Sequence, residues 1–431
     1  MLRRSALRRD YLILTIVTVL PRLAVLVYER GTITSANVDK SAIFARTFVA
    51  SGTYGFIPGV PSAYTQPLYG FFLVPVYWIF GRGWAAVGIA QIVVCAATTL
   101  VVFAVASRFV SRRAALLAAA ASTLQPYLIW HDVHMNREVL DQLLAALAIL
   151  VALVAAETRQ VEAYWLLGAI CGLVILGNVR LAALPLILLA WLLLRGRRLA
   201  VGSAAALVAA TALVLAPWVI RTKHSVGCWT VTTDSRALWK ANNPSTYRLL
   251  SHGRWIDNVP DIPGSDPSPQ DAGRLYQYTG FYQPTNECAQ MRFYRHLATT
   301  WFEHHPAEKA KLAVLGASWL WQPSVTKTED RPGSGGWLDR ARTWVEPLWV
   351  VPMYLLAAIG LFLVPRAFAG LVVWILAYNT VLAALFAGET RYRVPWDFLL
   401  VVLAARAATE LVARAGALRS PAVSGREPRS L

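Results

Sequence analysis

Long apolar runs alternate with short polar or basic stretches along nearly the whole chain. Residues 11–28 (YLILTIVTVLPRLAVLVY) are long enough for one membrane pass, and Arg3, Arg4, Arg8 and Arg9 precede them. Basic residues beside a span mark its cytoplasmic end, so the N-terminus is expected in the cytoplasm. Pro21 and Arg22 interrupt this run, and the Arg22 side chain is expected to snorkel to the interface. The next runs are 67–81, 84–107, 114–130 and 139–156. The first of these decides the topology, because about fifteen residues are short for about 30 Å of hydrocarbon. A full crossing would put Arg108, Arg112 and Arg113 outside, whereas a segment that dips in and returns keeps them inside. The pattern therefore predicts a re-entrant or interfacial helix at 67–81, within a first external loop spanning 29–83.

The block 164–194 is too long for one helix and is broken at GNVR (177–180), which predicts an outward and an inward segment meeting outside. RGRR (195–198) returns to the cytoplasm and 199–220 runs out again. From 221 to 342 the composition turns to polar residues, Gly, Pro and Trp, without a span; this is the expected external domain. Three further spans are expected near 345–364, 369–387 and 394–413. The domains are thus 1–220, an N-terminal transmembrane module; 221–342, external; 343–414, C-terminal transmembrane helices; and 415–431, a cytoplasmic tail. The expected fold is an all-α polytopic membrane protein with about ten transmembrane helices plus the re-entrant helix. No sequence repeat marks a solenoid or an inverted-repeat transporter.

Composition agrees with this pattern. The 431 residues are 56% hydrophobic and only 15% charged, with a mean hydropathy of +0.47, far from ordinary soluble usage. A net charge of +17 raises the question of nucleic acid. The arginines, however, fall in short clusters between apolar runs, as cytoplasmic loops require, so no nucleic-acid partner is expected. MLRRSALRRD leads into a run that ends YERG without a small-residue cleavage pattern, so the first span is expected to be retained. Of the four cysteines, Cys95 and Cys171 fall in spans. Cys228 and Cys288 fall in the external domain, an oxidising compartment, and are expected to pair as a disulfide.

Candidate chemistry gathers on the external face. Asp39 and Lys40 lie in the first loop, with Tyr64 and Gln66 before the re-entrant helix. His131, Asp132, His134, Arg137 and Glu138 follow in the second loop, and Asn178 and Arg180 in the third. Arg221, Lys223, Lys240, Asn242 and Asn243 open the external domain, and Glu389, Arg391, Tyr392 and Arg393 precede the last span. Ionisable groups at membrane depth are costly and read as functional, but at loop ends they are cheap. Asp39 is the one acid of its loop and also a good helix N-cap, although Asn37 would cap as well. Glu138 is a second acid, or a charge complementing a helix N-terminus. His131 and His134 beside Asp132 leave a divalent metal open but supply a small ligand set. The two arginines of RYR (391–393) suit a phosphate, since guanidinium offers forked donors, and equally suit anchoring at the interface. No GxSxG, Walker A or GxGxxG element is present.

The order of these pieces resembles the membrane glycosyltransferases of the GT-C superfold, specifically bacterial relatives of the protein O-mannosyltransferases and of the aminoarabinose transferase that modifies lipid A. The pieces are NVDKSAIFARTFVASG, TQPLYGFFLVPVYWIFG, SRFVSRRAALLAA, HMNRE, LGNVRLAALPLILL, APWVIRTKHSVG with ALWKANNP, and GETRYRVPWDFLLVVLAA. They extend over nearly the whole chain except the middle of the external domain. The resemblance implies Asp39 as the first-loop catalytic carboxylate, the base or acceptor-orienting group, and Glu138 as the second-loop acid. It departs from the family where Lys40 follows Asp39 in place of a second acid, and where Glu138 stands in place of Asp.

The implied activity is transfer of a sugar from a polyprenyl-phosphate donor to an envelope acceptor (lipid, glycan or protein), with inversion. Arg391, Arg393, Arg221 and Arg180 are the candidates for the departing phosphate, because that leaving group is already anionic. Lys40, Tyr64, Gln66, His134, Arg137 and Tyr392 are the remaining candidates, for the acceptor or another role at the site. The external tryptophans Trp229, Trp239, Trp255, Trp301 and Trp321 either stack on sugars or sit at the interface. The competing class is a transporter or flippase of lipid-linked sugars, which should show polar or broken helices near mid-membrane in both halves. The expected location is the cytoplasmic membrane, with both termini in the cytoplasm.

Overall fold

The computed structural model describes residues 2–34, 40–195, 201–280, 285–325 and 337–419. Its helices are α1 (Leu2–Tyr28), α2 (Lys40–Ser51), α3 (Pro67–Phe80), α4 (Trp84–Ala106), α5 (Arg112–Thr123), α6 (Pro126–His131), α7 (Glu138–Thr158), α8 (Val161–Gly177), α9 (Leu184–Arg195) and α10 (Val201–Val226). After α10 come α11 (Arg236–Lys240), α12 (Thr246–Ser251), α13 (Pro269–Thr279), α14 (Glu287–His304) and α15 (Pro306–Trp321). The chain ends with α16 (Trp337–Leu361), α17 (Arg366–Leu385), α18 (Thr390–Arg393) and α19 (Asp397–Arg419). No strand forms among the described residues. The only extended pairing among them is a single bridge between Ile57 and Val60.

Six of these helices, within α1, α4, α7, α10, α16 and α17, are long and apolar enough to cross a membrane by length and composition. The run expected at 114–130 is instead two shorter helices. Pro126 lacks the N–H that a continuing helix needs, so α5 ends at Thr123 and α6 starts anew with Pro126 at its first position. The block 164–194 divides at Asn178, where the backbone becomes extended and the Asn178 side chain caps the following 3-10 turn.

Contacts along α1 and α4 fix their relative direction. Asp10 pairs with Arg112 just beyond α4 at 2.6 Å, Tyr11 packs edge-on to Phe103, Thr18 donates to Thr99 at 2.9 Å, and Leu26 fits against Gly88. The two helices are therefore antiparallel, and residues 29–83 begin and end at the same end of the bundle. The 14 residues of α3 rise about 21 Å at 1.5 Å each. Helix α8 then runs parallel to α10 through GAICG, where a Cβ on Gly168 would come 2.2 Å from the Leu207 carbonyl oxygen. Small residues four apart let the two backbones touch.

Arg22 does not snorkel. It is 1% exposed, and its Nη2 and Nε donate to Asp132 Oδ2 at 2.7 and 3.0 Å. The partner lies 110 residues later, on the turn after α6, and a cation matched in this way has no reason to seek the interface. Cys228 and Cys288 are joined in a disulfide with a Cα–Cα distance of 5.9 Å, and Cys95 and Cys171 are buried free thiols.

Two outcomes follow. Cysteines placed at Arg30 and Gly83 should react with an impermeant thiol reagent from the same side of sealed vesicles; labelling from opposite sides would require α3 to cross. Arg22→Leu should cost about 3–5 kcal/mol by stranding Asp132, read as a large drop in thermal midpoint in detergent. The double variant Arg22→Leu/Asp132→Leu should recover part of it.

Candidate active site

The candidate residues that the structure describes lie at the end of the bundle where α1 finishes and α4 starts. The turn between α6 and α7 is their scaffold. Asp132 holds Arg22 and accepts from Gln142 Nε2 at 3.0 Å, while Gln91 on α4 donates to the carbonyls of Asp132 and His134 at 2.6 and 2.8 Å. Asn136 donates to the carbonyls of His131 and His134 and accepts from the Val139 N–H, closing the turn onto α7. The backbone polar groups of this buried turn thus find internal partners.

From this scaffold Glu138 opens α7, 5% exposed, with His131 Nε2 and Arg137 Nε each 3.8 Å from its carboxylate. Arg137 also donates to Gln66 Oε1 at 2.9 Å, which ties the second loop to the first. One turn further along α7 stands Asp141, 4% exposed. Its Oδ2 accepts from Asn178 at 2.9 Å, and among the described residues its Oδ1 has no hydrogen-bond partner. Asp141, Asn178, Arg180, Asn379, Arg391 and Tyr392 line one small cleft.

Two arginines converge there on Tyr392. The Arg180 guanidinium lies 3.9 Å from the centre of the Tyr392 ring, and Arg391 donates from Nη2 to the Tyr392 hydroxyl at 3.0 Å. Arg391 is also paired through Nε with Glu389 at 2.5 Å. Arg180 contacts the Ala387 carbonyl at 3.5 Å and the faces of Phe386 and Tyr392, and among the described residues no carboxylate reaches it within 4.0 Å. Burial, together with the neighbouring cations Arg137 and Arg391, pushes the Arg180 guanidinium below its ordinary value, while burial pushes the Tyr392 phenol up. A bound anion would relieve the first of these strains.

Other candidates are placed elsewhere. Arg393 is fully buried and spends its donors on Asp397 at 3.2 Å and on the carbonyls of Leu320 and Gln322, with Glu346 4.0 Å away. Arg221 donates to the carbonyls of Ser62 and Tyr54 at 2.7 and 3.0 Å and lies over Trp218, so it fastens the first loop to α10. His134 is buried beside Trp130, 3.8 Å from Glu29, at the foot of α1 and away from the cleft lining. Lys40 pairs with Asp234 at 3.3 Å and lies 4.8 Å from the Tyr64 ring, on the seam between the first loop and the external region. Asp39 precedes it and lies outside the described residues.

Asp141 is the residue that sequence reasoning missed. It sits three residues after Glu138 and so on the same helix face, and an acid inside an apolar run was the available signal. Asn379, in the middle of α17, donates to the Tyr392 carbonyl at 2.9 Å and carries the same kind of signal. For a metal, no group of three His, Cys, Asp or Glu side chains comes together among the described residues.

A multi-pass helical membrane protein with an acid-and-arginine cleft at one end of its bundle is the class these observations define. Residues 61–220 match the family model of the dolichyl-phosphate-mannose-protein mannosyltransferases, so this part of the chain is similar to membrane glycosyltransferases of the GT-C type. No curated protein matches the chain. Among solved structures it is similar to the Archaeoglobus fulgidus oligosaccharyltransferase tethered to an acceptor peptide containing the NVT sequon, at 13% identity and TM-score 0.48, covering 97% of this chain and 52% of that one. It is also similar to ArnT from Cupriavidus metallidurans bound to undecaprenyl phosphate, at 14% identity and TM-score 0.44, covering 92% and 77%. The chain spans about half the length of the oligosaccharyltransferase.

The seam beside Tyr64 yields a pH prediction. Glu287, 7% exposed, accepts from the Ala63 N–H at 3.0 Å and the Thr233 hydroxyl at 2.8 Å. Burial nevertheless raises its carboxyl above the ordinary value, with these hydrogen bonds opposing the rise. A raised folded-state value favours the protonated form, so the contribution of this group to stability is present below the ordinary Glu range and lost as pH rises through the raised value. Thermal midpoints across that interval should fall with pH in the parent protein and fall less in Glu287→Gln.

Proposed function

We propose that this chain is an integral-membrane glycosyltransferase that moves one sugar from a polyprenyl-phosphate donor to a hydroxyl-bearing envelope acceptor, with inversion. The observation that carries this reading is Arg180, a part-buried cation on a cleft, facing aromatic rings and a carbonyl but no carboxylate among the described residues. Together with Arg391 it offers a bidentate, water-poor seat for a phosphate. The family match over residues 61–220, whose description names a dolichyl-phosphate sugar donor, supports the same donor class.

In this mechanism the donor phosphate lies between Arg180 and Arg391, and its lipid tail lies among the apolar helices. Asp39 takes the proton of the acceptor hydroxyl as its oxygen attacks the anomeric carbon from the face opposite the phosphate. The bond from that carbon to the phosphate oxygen breaks, and the electron pair leaves with the polyprenyl phosphate. No acid is needed for the departure, because the arginines neutralise the charge that develops. One displacement inverts the anomeric centre. Arg137 and Gln66 join the second loop, with Glu138, to the first loop, whose sequence carries Asp39. Asp141 supplies a lone pair for a donor-sugar hydroxyl. Arg393 and Arg221 act as structural latches and hold no substrate.

Purified protein given undecaprenyl-phosphate sugars and envelope acceptors tests the reading. Asp39→Asn should lower turnover roughly 100-fold or more, and Arg180→Ala or Arg391→Ala should each lower kcat/KM roughly 100-fold. Full activity of Asp39→Asn would remove it as the base. Lipid translocation without transfer by the parent protein would make it a flippase instead.

A further inference from the structure

Of the five external tryptophans, one touches a residue of the cleft. Trp229 is 65% exposed, Trp239 packs against Tyr294, Trp301 is 7% exposed and stacks on His305, and Trp321 donates its indole N–H to Thr380. Trp255 alone of these five lies against the cleft, its ring centre 5.4 Å from the Arg391 guanidinium. The segment that carries it is shaped for that position. The Asn258 side chain accepts from the Trp255 N–H at 3.1 Å, Asn258 N–H closes onto the Trp255 carbonyl at 2.9 Å, and the ring edges a cluster of Leu250, Trp301 and Leu312. Trp255 is part-buried, held between that cluster and the Arg391 guanidinium over its ring.

We infer that Trp255 is the sugar platform of the donor site, resting on the donor reading given above. A phosphate held by Arg180 and Arg391 carries its sugar through a single oxygen, so the ring must lie within its own width of these guanidinium groups. On the bundle side that space is taken by Tyr392, Asp141 and Asn178. On the external side Trp255 stands against the Arg391 guanidinium. The C–H face of a pyranose is apolar and weakly electropositive, and it stacks on the electron-rich face of an indole as other C–H and cationic groups do. Trp255 therefore reads the sugar, whereas Arg180 and Arg391 read the phosphate. Trp255 also brings the external region into contact with the donor, so residues far from any span shape its specificity.

The two roles separate in binding measurements by native mass spectrometry of the full chain in detergent, with undecaprenyl phosphate and undecaprenyl-phosphate mannose as probes. Trp255→Leu keeps apolar volume without an aromatic face, and Trp255→Phe keeps the face; melting curves check that both fold. Trp255→Leu should bind the mannosyl lipid roughly ten-fold more weakly, bind undecaprenyl phosphate like the parent, and be largely rescued in Trp255→Phe. Equal affinity of Trp255→Leu and parent for the mannosyl lipid overturns the platform, as does equal weakening of both lipids, which would show Trp255 acting only through Arg391. If the parent binds neither lipid, the donor reading itself fails and the platform with it.

Discussion

The buried pair between Arg22 and Asp132 is the constraint on which the rest of this molecule depends. Both groups are at most 1% exposed, and neither is tolerable in a bilayer interior without the other. Such a pair adds little net stability, because desolvation offsets most of the Coulomb gain. What it supplies is register. It fixes the depth of α1 against the turn that follows α6, and Gln142 from α7 and Gln91 from α4 join the same carboxylate and its backbone. Tyr69 on α3 donates to Gln91 Oε1 at 2.5 Å, so the helix of the first loop is seated on the same network. Four helices are thereby aligned to one turn, and that turn launches Arg137, Glu138 and Asp141.

The cleft gathers opposed charges, and their partition explains which arginines are available. Arg393 answers two buried acids, Glu346 and Asp397, and its remaining donors go to carbonyls. Arg221 is spent on carbonyls of the first loop. Arg391 is oriented by Glu389 and the Tyr392 hydroxyl and lies against the rings of Tyr392 and Trp255. Arg180, on the cleft itself, has no carboxylate within 4.0 Å among the described residues. An anion entering the cleft therefore meets one cation without a carboxylate and one already aimed, and little reorganisation is required when phosphate charge develops.

Much of the architecture was legible from the chain because bilayer insertion obeys simple length and charge rules. The break of the block 164–194 at GNVR, the polar region after residue 221 and the basic ends of the spans all follow from residues that a hydrocarbon phase either accepts or refuses. Helix breaks inside an apolar run were less legible: Gln125-Pro126 splits 112–131 into two helices, although the hydropathy of the run gives no warning. At the site, Arg180, Arg391, Tyr392, Arg137 and Glu138 were recognisable as cations and acids at loop ends, and they do come together. The distinct fates of Arg391 and Arg393 were not recognisable, since two residues of spacing on a short helix put them on different faces and only the packing of α15, α16 and α19 decides which face is the cleft. Arg22 was misjudged for the same reason: its partner is remote in sequence.

The loop that carries Arg391 is positioned from the external side. Lys309, at the start of α15, donates to Asn242 Oδ1 at 2.6 Å and to the carbonyls of Ala384 and Leu385 at 2.8 and 2.9 Å, which are among the last carbonyls of α17, and Asn242 Nδ2 also donates to the Leu385 carbonyl at 3.0 Å. A cation at a helix C-terminus also complements its dipole. About two turns along α15 from Lys309, Gly316 meets the chain again: a Cβ there would come 2.3 Å from the Ala383 carbonyl oxygen, and a Cβ on Gly388 would come 1.8 Å from the Gly316 carbonyl oxygen. Two glycines and one lysine thus pin residues 383–388 against α15, and the next three residues are Glu389, Thr390 and Arg391. Because Asn242 belongs to the ALWKANNP stretch of the external region, the same contacts bind that region to the cleft. The distance between Trp255 and Arg391 is then set by a rigid connection through α15 and not by a free loop, as a stacking platform beside a phosphate seat requires.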